Sequence, residues 1–178
     1  MSLPRNSCAI VLIGLSGSGK STVGRAAAVR LGWRFVDLDS EIELRTGITV
    51  SEIFSMHGEA YFRELERDIF AELLNKDEDR LVVAPGAGWI TNASSMRLAF
   101  TESRTIYLKV RPETALARLG HDRNTRPLLG GSDPLSSLLR LLREREGYYS
   151  QAESVIDTDV LDLQGVIDEV VRLANGDS

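Results

Sequence analysis

Residues 14–21 read Gly14-Leu15-Ser16-Gly17-Ser18-Gly19-Lys20-Ser21, a G-x-x-x-x-G-K-[ST] pattern that works only between a strand and a helix. Ala9-Ile10-Val11-Leu12-Ile13 precedes it, a short apolar run that predicts a buried parallel strand. The segment after it is rich in helix formers and stops at Gly32, so the spacing predicts a helix over 20–31. Glycines let such a loop curl so that successive N–H groups point inward, and the helix dipole adds positive potential. The result is a seat for a polyphosphate anion. Lys20 is expected to reach the β- and γ-phosphates and the Ser21 hydroxyl to ligate Mg²⁺. Gly14, Gly17, Ser18, Gly19 and Thr22 are expected to complete the cradle. A glycine-rich turn matching by chance needs neither the lysine, nor the hydroxyl, nor both flanking elements. The chain is therefore expected to bind a nucleoside triphosphate.

Apolar runs alternate with helical patterns along the rest of the chain. Strands are predicted over 9–13, 34–37, 81–84, 105–110 and 154–156. Helices are predicted over 20–31, 40–45, 50–56, 59–74, 112–118, 135–152 and 163–174, with a capping box of Thr49 and Glu52 opening the third. Strands spaced by helices imply an α/β fold: a central parallel sheet of about five strands with helices on both faces, and ligands at the strands' carboxyl ends. At 178 residues the chain is expected to be a single domain over 1–178. The stretch around Arg123–Pro134 holds Pro127, Gly130, Gly131 and Pro134 with little periodicity, which suits a mobile lid over about 120–134.

A net charge of -5 argues against a general nucleic-acid-binding surface. No apolar run is long enough to span a membrane and no signal peptide is visible, so a cytoplasmic protein with no membrane partner is expected. The single cysteine, Cys8, fits a reducing compartment and reads as a structural thiol. His57 and His121 have no companion at metal-ligand spacing and read as structural.

Asp37 and Asp39 flank Leu38 at the end of the second predicted strand. Side chains at i and i+2 of an extended segment point the same way, so both carboxylates would face one spot beside the phosphates. One could serve the Mg²⁺ shell and the other accept a hydroxyl proton; alternatively this is a solvated strand end that caps the next helix. Arg63 stands one position off an apolar helical stripe, three residues before Glu66. A guanidinium fork anchors an acidic substrate well, but a surface ion pair would look the same. Pro85-Gly86-Ala87-Gly88 follows the third strand and is either a close-approach loop for a ligand or a tight turn. Arg126 could close over the transferring group from the lid, and Arg118 could lie against a nucleotide base. Arg143 and Arg145 lie on the following helix, where position alone recommends neither.

Together these residues resemble the shikimate kinase family, of the nucleoside-monophosphate-kinase-like P-loop fold. The resemblance rests on residues 14–21, Phe35-Val36-Asp37-Leu38-Asp39 with Ile42-Glu43, and Arg45-Thr46-Gly47. It continues through Glu52-Ile53-Phe54, Gly58-Glu59, Phe62-Arg63-x-x-Glu66, Arg126-Pro127-Leu128-Leu129 and Arg145-x-x-Tyr148. It implies a three-layer α/β/α kinase domain with a mobile lid, which uses ATP and Mg²⁺ to phosphorylate the 3-hydroxyl of shikimate on the way to the aromatic amino acids. By matching position, it implies that Asp37 supports Mg²⁺ through water and Asp39 binds the substrate hydroxyls as a catalytic group. Arg63 and Arg145 would hold the shikimate carboxylate, Gly86, Ala87 and Gly88 would face the substrate, and Arg126 would be the lid arginine. Arg118 would contact adenine, and a monomer is expected. The family typically has three glycines where this chain has Gly86-Ala87-Gly88, followed here by the bulky Trp89. Either Ala87 sits at negative φ and is harmless, or the pocket is reshaped for another acid such as gluconate. A binding module without phosphoryl transfer is the third reading, and it would be expected to have lost catalytic groups that are present here.

Overall fold

The computed structural model describes residues 9–75, 80–120 and 133–176. Five strands form one wholly parallel sheet: β1 (Ala9–Ile13), β2 (Arg34–Asp37), β3 (Leu81–Ala84), β4 (Arg104–Lys109) and β5 (Ser154–Asp157). Their spatial order is β2-β3-β1-β4-β5. The helices among the described residues are α1 (Lys20–Leu31), α2 (Leu38–Thr46), α3 (Val50–Leu74), α4 (Ala93–Glu102), α5 (Pro112–Leu119), α6 (Pro134–Tyr149) and α7 (Leu163–Ala174). Strand alternation divides the core in two. Val11, Ile13, Val83 and Tyr107 pack with α2 to α6, while Ile10, Leu12, Val82, Ile106 and Leu108 pack with α1 and α7. The expected three-layer α/β/α architecture is present.

Crossover direction explains the division. The links from β2 to β3, β3 to β4 and β4 to β5 all run the same way across the sheet, and their helices share one face. Only β1 to β2 runs the other way, and α1 accordingly lies on the opposite face, as a single handedness of crossover requires. The loops leaving β1 and its neighbours β3 and β4 therefore diverge to opposite faces, which opens a crevice at their carboxyl ends.

The predicted strand bounds hold to within one residue. The 50–56 and 59–74 helices form one element whose path breaks at Gly58 (φ 81°, ψ 171°), between the two predicted pieces. The Thr49–Glu52 capping box is made in both directions. The short 3₁₀ turn Trp89–Thr91 and helix α4 are additions to the sequence reading. Cys8, His121 and nearly all of the expected lid, Arg126 included, lie outside the described residues. Among the described residues no helix is long and apolar enough to cross a membrane.

Candidate active site

The phosphate loop is built as its glycines demand. Gly17 (φ 83°) and Gly19 (φ 95°) occupy the left-handed region, and a Cβ on Gly17 would stand 2.4 Å from the Ala115 carbonyl oxygen. Lys20, buried at the first position of α1, folds back over the loop and donates from Nζ to the carbonyl oxygens of Gly14 and Leu15, both at 2.9 Å. The ammonium is thus held above the space the loop encloses. The Ser21 hydroxyl donates to Asp37 Oδ2 at 2.5 Å, so the first turn of α1 is tied to the end of β2.

The second carboxylate arrives by a different route from the one expected. β2 ends at Asp37, which caps α2 by accepting from the Ser40 amide at 3.3 Å, and Asp39 lies in the helix's first turn. Strand alternation therefore does not align the two carboxylates. A capped helix start does, because it turns the chain so that both still face one cleft. The helix N-terminus also favours the Asp39 charge.

That cleft, about 710 Å³, is lined by the phosphate loop, Asp37, Asp39, Gly86, Ala87 and Arg118, among others. Arg63, Gly88 and Arg145 stand outside its wall, one step further along the loop that follows β3. Arg63 is paired with the buried Glu66 and, at 3.0 Å, with Glu59. A Cβ on Gly88 would fall 2.1 Å from Arg63 Nη2, so any side chain there would have to displace that guanidinium. Arg145 is buried and donates from Nη1 to the Ala87 carbonyl at 2.8 Å. Ala87 itself is not at positive φ, so its methyl group brings no backbone strain. Trp89 points into the core, edge-on to Phe70 at 4.7 Å, rather than toward the cleft. Of the two explanations for the altered loop, the harmless one holds for the backbone.

Asp39 and Glu66 approach each other across Gly86. A Cβ there would stand 2.8 Å from Asp39 Oδ1 and 3.2 Å from Glu66 Oε1. Burial pushes the Glu66 carboxyl up to about 8; Arg63 opposes the shift, and the Asp39 and Glu59 charges add to it. The wall around Arg118 contains residues that sequence reasoning missed. Thr158 receives both ends of the Arg118 guanidinium, Nη1 on its hydroxyl at 2.9 Å and Nη2 on its carbonyl at 2.7 Å. Leu161, Leu163 and Val166 complete that wall. They follow β5 and lie far from the motif in sequence, so only the sheet order could have placed them. His57 is exposed and packs against Tyr61 at 4.7 Å. No group of three or more His, Cys, Asp or Glu among the described residues could hold a metal ion by itself.

The family model for shikimate kinase matches residues 16–175. A shikimate kinase of Moorella thermoacetica is 44% identical over 161 residues, covering 90% of this chain and 91% of that protein. The solved shikimate kinase of Acinetobacter baumannii in complex with shikimate superposes with a TM-score of 0.89 at 34% identity, covering 98% of this chain and 96% of that one. A gluconokinase of Sinorhizobium meliloti superposes with a TM-score of 0.58 at 21% identity, covering 97% of this chain and 96% of that one, a likeness of fold alone.

Proposed function

The chain belongs to the shikimate kinase family, and from that premise we propose that it transfers the γ-phosphoryl group of ATP to the 3-hydroxyl of shikimate. The observation that carries this reading is the meeting of three segments in one cleft: the phosphate loop, the Asp37–Asp39 turn and Gly86-Ala87 after β3, with Arg63 and Arg145 along that loop's far side. ATP would lie with its phosphates in the loop and its base against Arg118. Lys20, already over the loop, would turn its ammonium from the two carbonyls to the β- and γ-phosphate oxygens. Asp39 would hold the 3-hydroxyl in line and accept its proton. Arg63 and Arg145 would bind the carboxylate, and Arg126 would close from the lid.

Ser21 and Asp37 are hard oxygen donors, hydrogen-bonded to each other beside the loop, and they fit Mg²⁺. With no all-protein cage among the described residues, the ion would take its other ligands from water and phosphate, as Mg²⁺ usually does. Bound there, it would neutralise charge on the β- and γ-phosphates. The protein is proposed to act as a monomer in the cytoplasm.

The direct test is ADP release from Mg·ATP with shikimate, with gluconate and a no-acceptor blank alongside. Shikimate-dependent turnover well above the blank is expected. Turnover with gluconate and none with shikimate would overturn the reading of the acceptor.

Two further outcomes follow from the loop after β3. Gly88→Ala sets a methyl group against Arg63 Nη2 and displaces that guanidinium from the place where it faces the loop. The KM for shikimate should rise about tenfold, the loss expected for one charge-assisted contact, with the KM for ATP unchanged. Steady-state kinetics in both substrates check this.

The second outcome concerns pH. Below about 8 the Glu66 carboxyl is protonated and leaves the Arg63 charge for the substrate; above it, the carboxylate competes for the same guanidinium. The KM for shikimate should therefore rise as pH passes about 8, and Glu66→Gln should flatten that limb. Linkage carries the same sign into stability. The unfolded carboxyl ionises near 4.5 and the folded one near 8, so this group's contribution is fully present below the first value and is lost as pH rises through the second. Melting temperature measured against pH for the wild type and Glu66→Gln checks it.

A further inference from the structure

Helix α6 carries Arg145 into the interior beside a tyrosine whose polar end the proposed mechanism does not use. Tyr149 follows Arg145 by four residues, so both side chains leave one face of the helix. Both are buried, at 5% and 1% exposure. The Tyr149 ring lies nearly parallel to that of Tyr107 on β4, centroids 4.8 Å apart and planes 10° apart, which fixes it against the sheet. Burial pushes the Tyr149 hydroxyl up to about 12, and the Arg145 charge opposes that shift. Arg145 Nη1 is committed to the Ala87 carbonyl. Arg145 Nε and the Tyr149 hydroxyl, both shut off from solvent, complete no hydrogen bond of good geometry among the described residues. A buried donor and a buried acceptor one helical turn apart, neither with a well-formed partner, can complete one another after a rotation of the side chains.

We infer that Tyr149 is a positioning residue for the acceptor's carboxylate: its hydroxyl fixes the plane of the Arg145 guanidinium, while the Tyr107 stack anchors the hydroxyl. This rests on the reading of Arg145 as a carboxylate anchor. One bond to the Ala87 carbonyl leaves the guanidinium free to swing about that bond. A carboxylate held by a planar fork needs the fork's plane set beforehand. A stacked tyrosine has little freedom of its own, so it can supply that second point. Tyr107 contributes its ring and not its hydroxyl, whose upward shift to about 12 comes from burial and from Glu146 and Asp157 rather than from Arg145.

The test compares Tyr149→Phe and Tyr107→Phe with the wild type in steady-state kinetics. Tyr149→Phe keeps the ring and its stack. It should raise the KM for shikimate about five- to tenfold, the effect of one ordinary intramolecular hydrogen bond. The KM for ATP, kcat at saturation and melting temperature should hold. Tyr107→Phe should change none of these, and Tyr149→Phe should add nothing in an Arg145→Lys background. An unchanged shikimate KM in Tyr149→Phe, or a parallel loss in both KM values and in melting temperature, would overturn the inference. If Tyr149→Phe does not fold, the wild type carrying ¹³Cζ-labelled tyrosine decides, with signals assigned through phenylalanine variants of the other three tyrosines. Shikimate should move the Tyr149 signal and ADP should not, and a Tyr149 signal indifferent to shikimate overturns the inference. A wild type that turns over another acid instead of shikimate overturns the reading of the acceptor alone, and the same comparison then runs with that acid.

Discussion

Asp39→Asn will lower kcat by about a thousandfold, within the range that a positioned general base contributes, and will leave the fold intact. The asparagine amide has the carboxylate's shape and can still hydrogen-bond a hydroxyl, so the KM for shikimate should change by less than about tenfold. It cannot take the proton as the O–P bond forms. Structural loss should be small because Asp39 does not cap α2; Asp37 does. Losing a charge from the helix's first turn costs about 0.3–1 kcal/mol. That cost is small, so melting temperature should fall only slightly. Turnover at the wild-type rate in Asp39→Asn would sink the assignment of this carboxylate as the proton acceptor.

The contrast between Asp37 and Asp39 shows where a sequence can and cannot be read. Both residues were recognisable as a pair beside the phosphate loop, and the structure brings both to the cleft. The geometric reason was another one, because strand and helix share the Asp37 position: last residue of β2 and cap of α2 at once. Strand β1, the phosphate loop and α1 were legible because local signals agree there: a buried apolar run, glycines at forced φ, and a glycine stop. Helix α4 was not. Its first half, Ala93-Ser94-Ser95, is small and polar, and its buried face rests on Ser95, Met96 and Ala99, too sparse a stripe to stand out. Its clearest signal was the Asn92 cap, which accepts from the Ser94 and Ser95 amides.

Arg63, Arg145 and Thr158 were illegible for a different reason. Each is placed against a residue distant in sequence: Arg63 against Gly88, Arg145 on the Ala87 carbonyl, and Thr158 under Arg118. A local window contains half of each pair, and the other half arrives only with the sheet order β2-β3-β1-β4-β5. For the two arginines the family resemblance supplied that missing half; Thr158 had no such help. Ala87 could be judged only from its backbone angle, which is a property of the fold and not of the residue.

Lys20→Met will abolish turnover more completely than it loosens nucleotide binding. Methionine is flexible and only one heavy atom shorter than lysine, so the buried channel over the loop stays largely filled. What goes is the ammonium, held above the loop by the Gly14 and Leu15 carbonyls. Backbone N–H groups and the α1 dipole remain and still bind the ground-state phosphates. The KM for ATP should therefore rise by about tenfold, while kcat falls by about a thousandfold or more. A cation placed on a transferring phosphoryl group matters most where charge develops. Stability should fall by about 1–2 kcal/mol, because two loop carbonyls lose their donor. A nucleotide-binding titration set beside ADP release separates the two losses. Equal losses in binding and turnover would mean that Lys20 only tethers the loop. A loss concentrated in kcat would show that the Lys20 ammonium serves the transferring phosphoryl group.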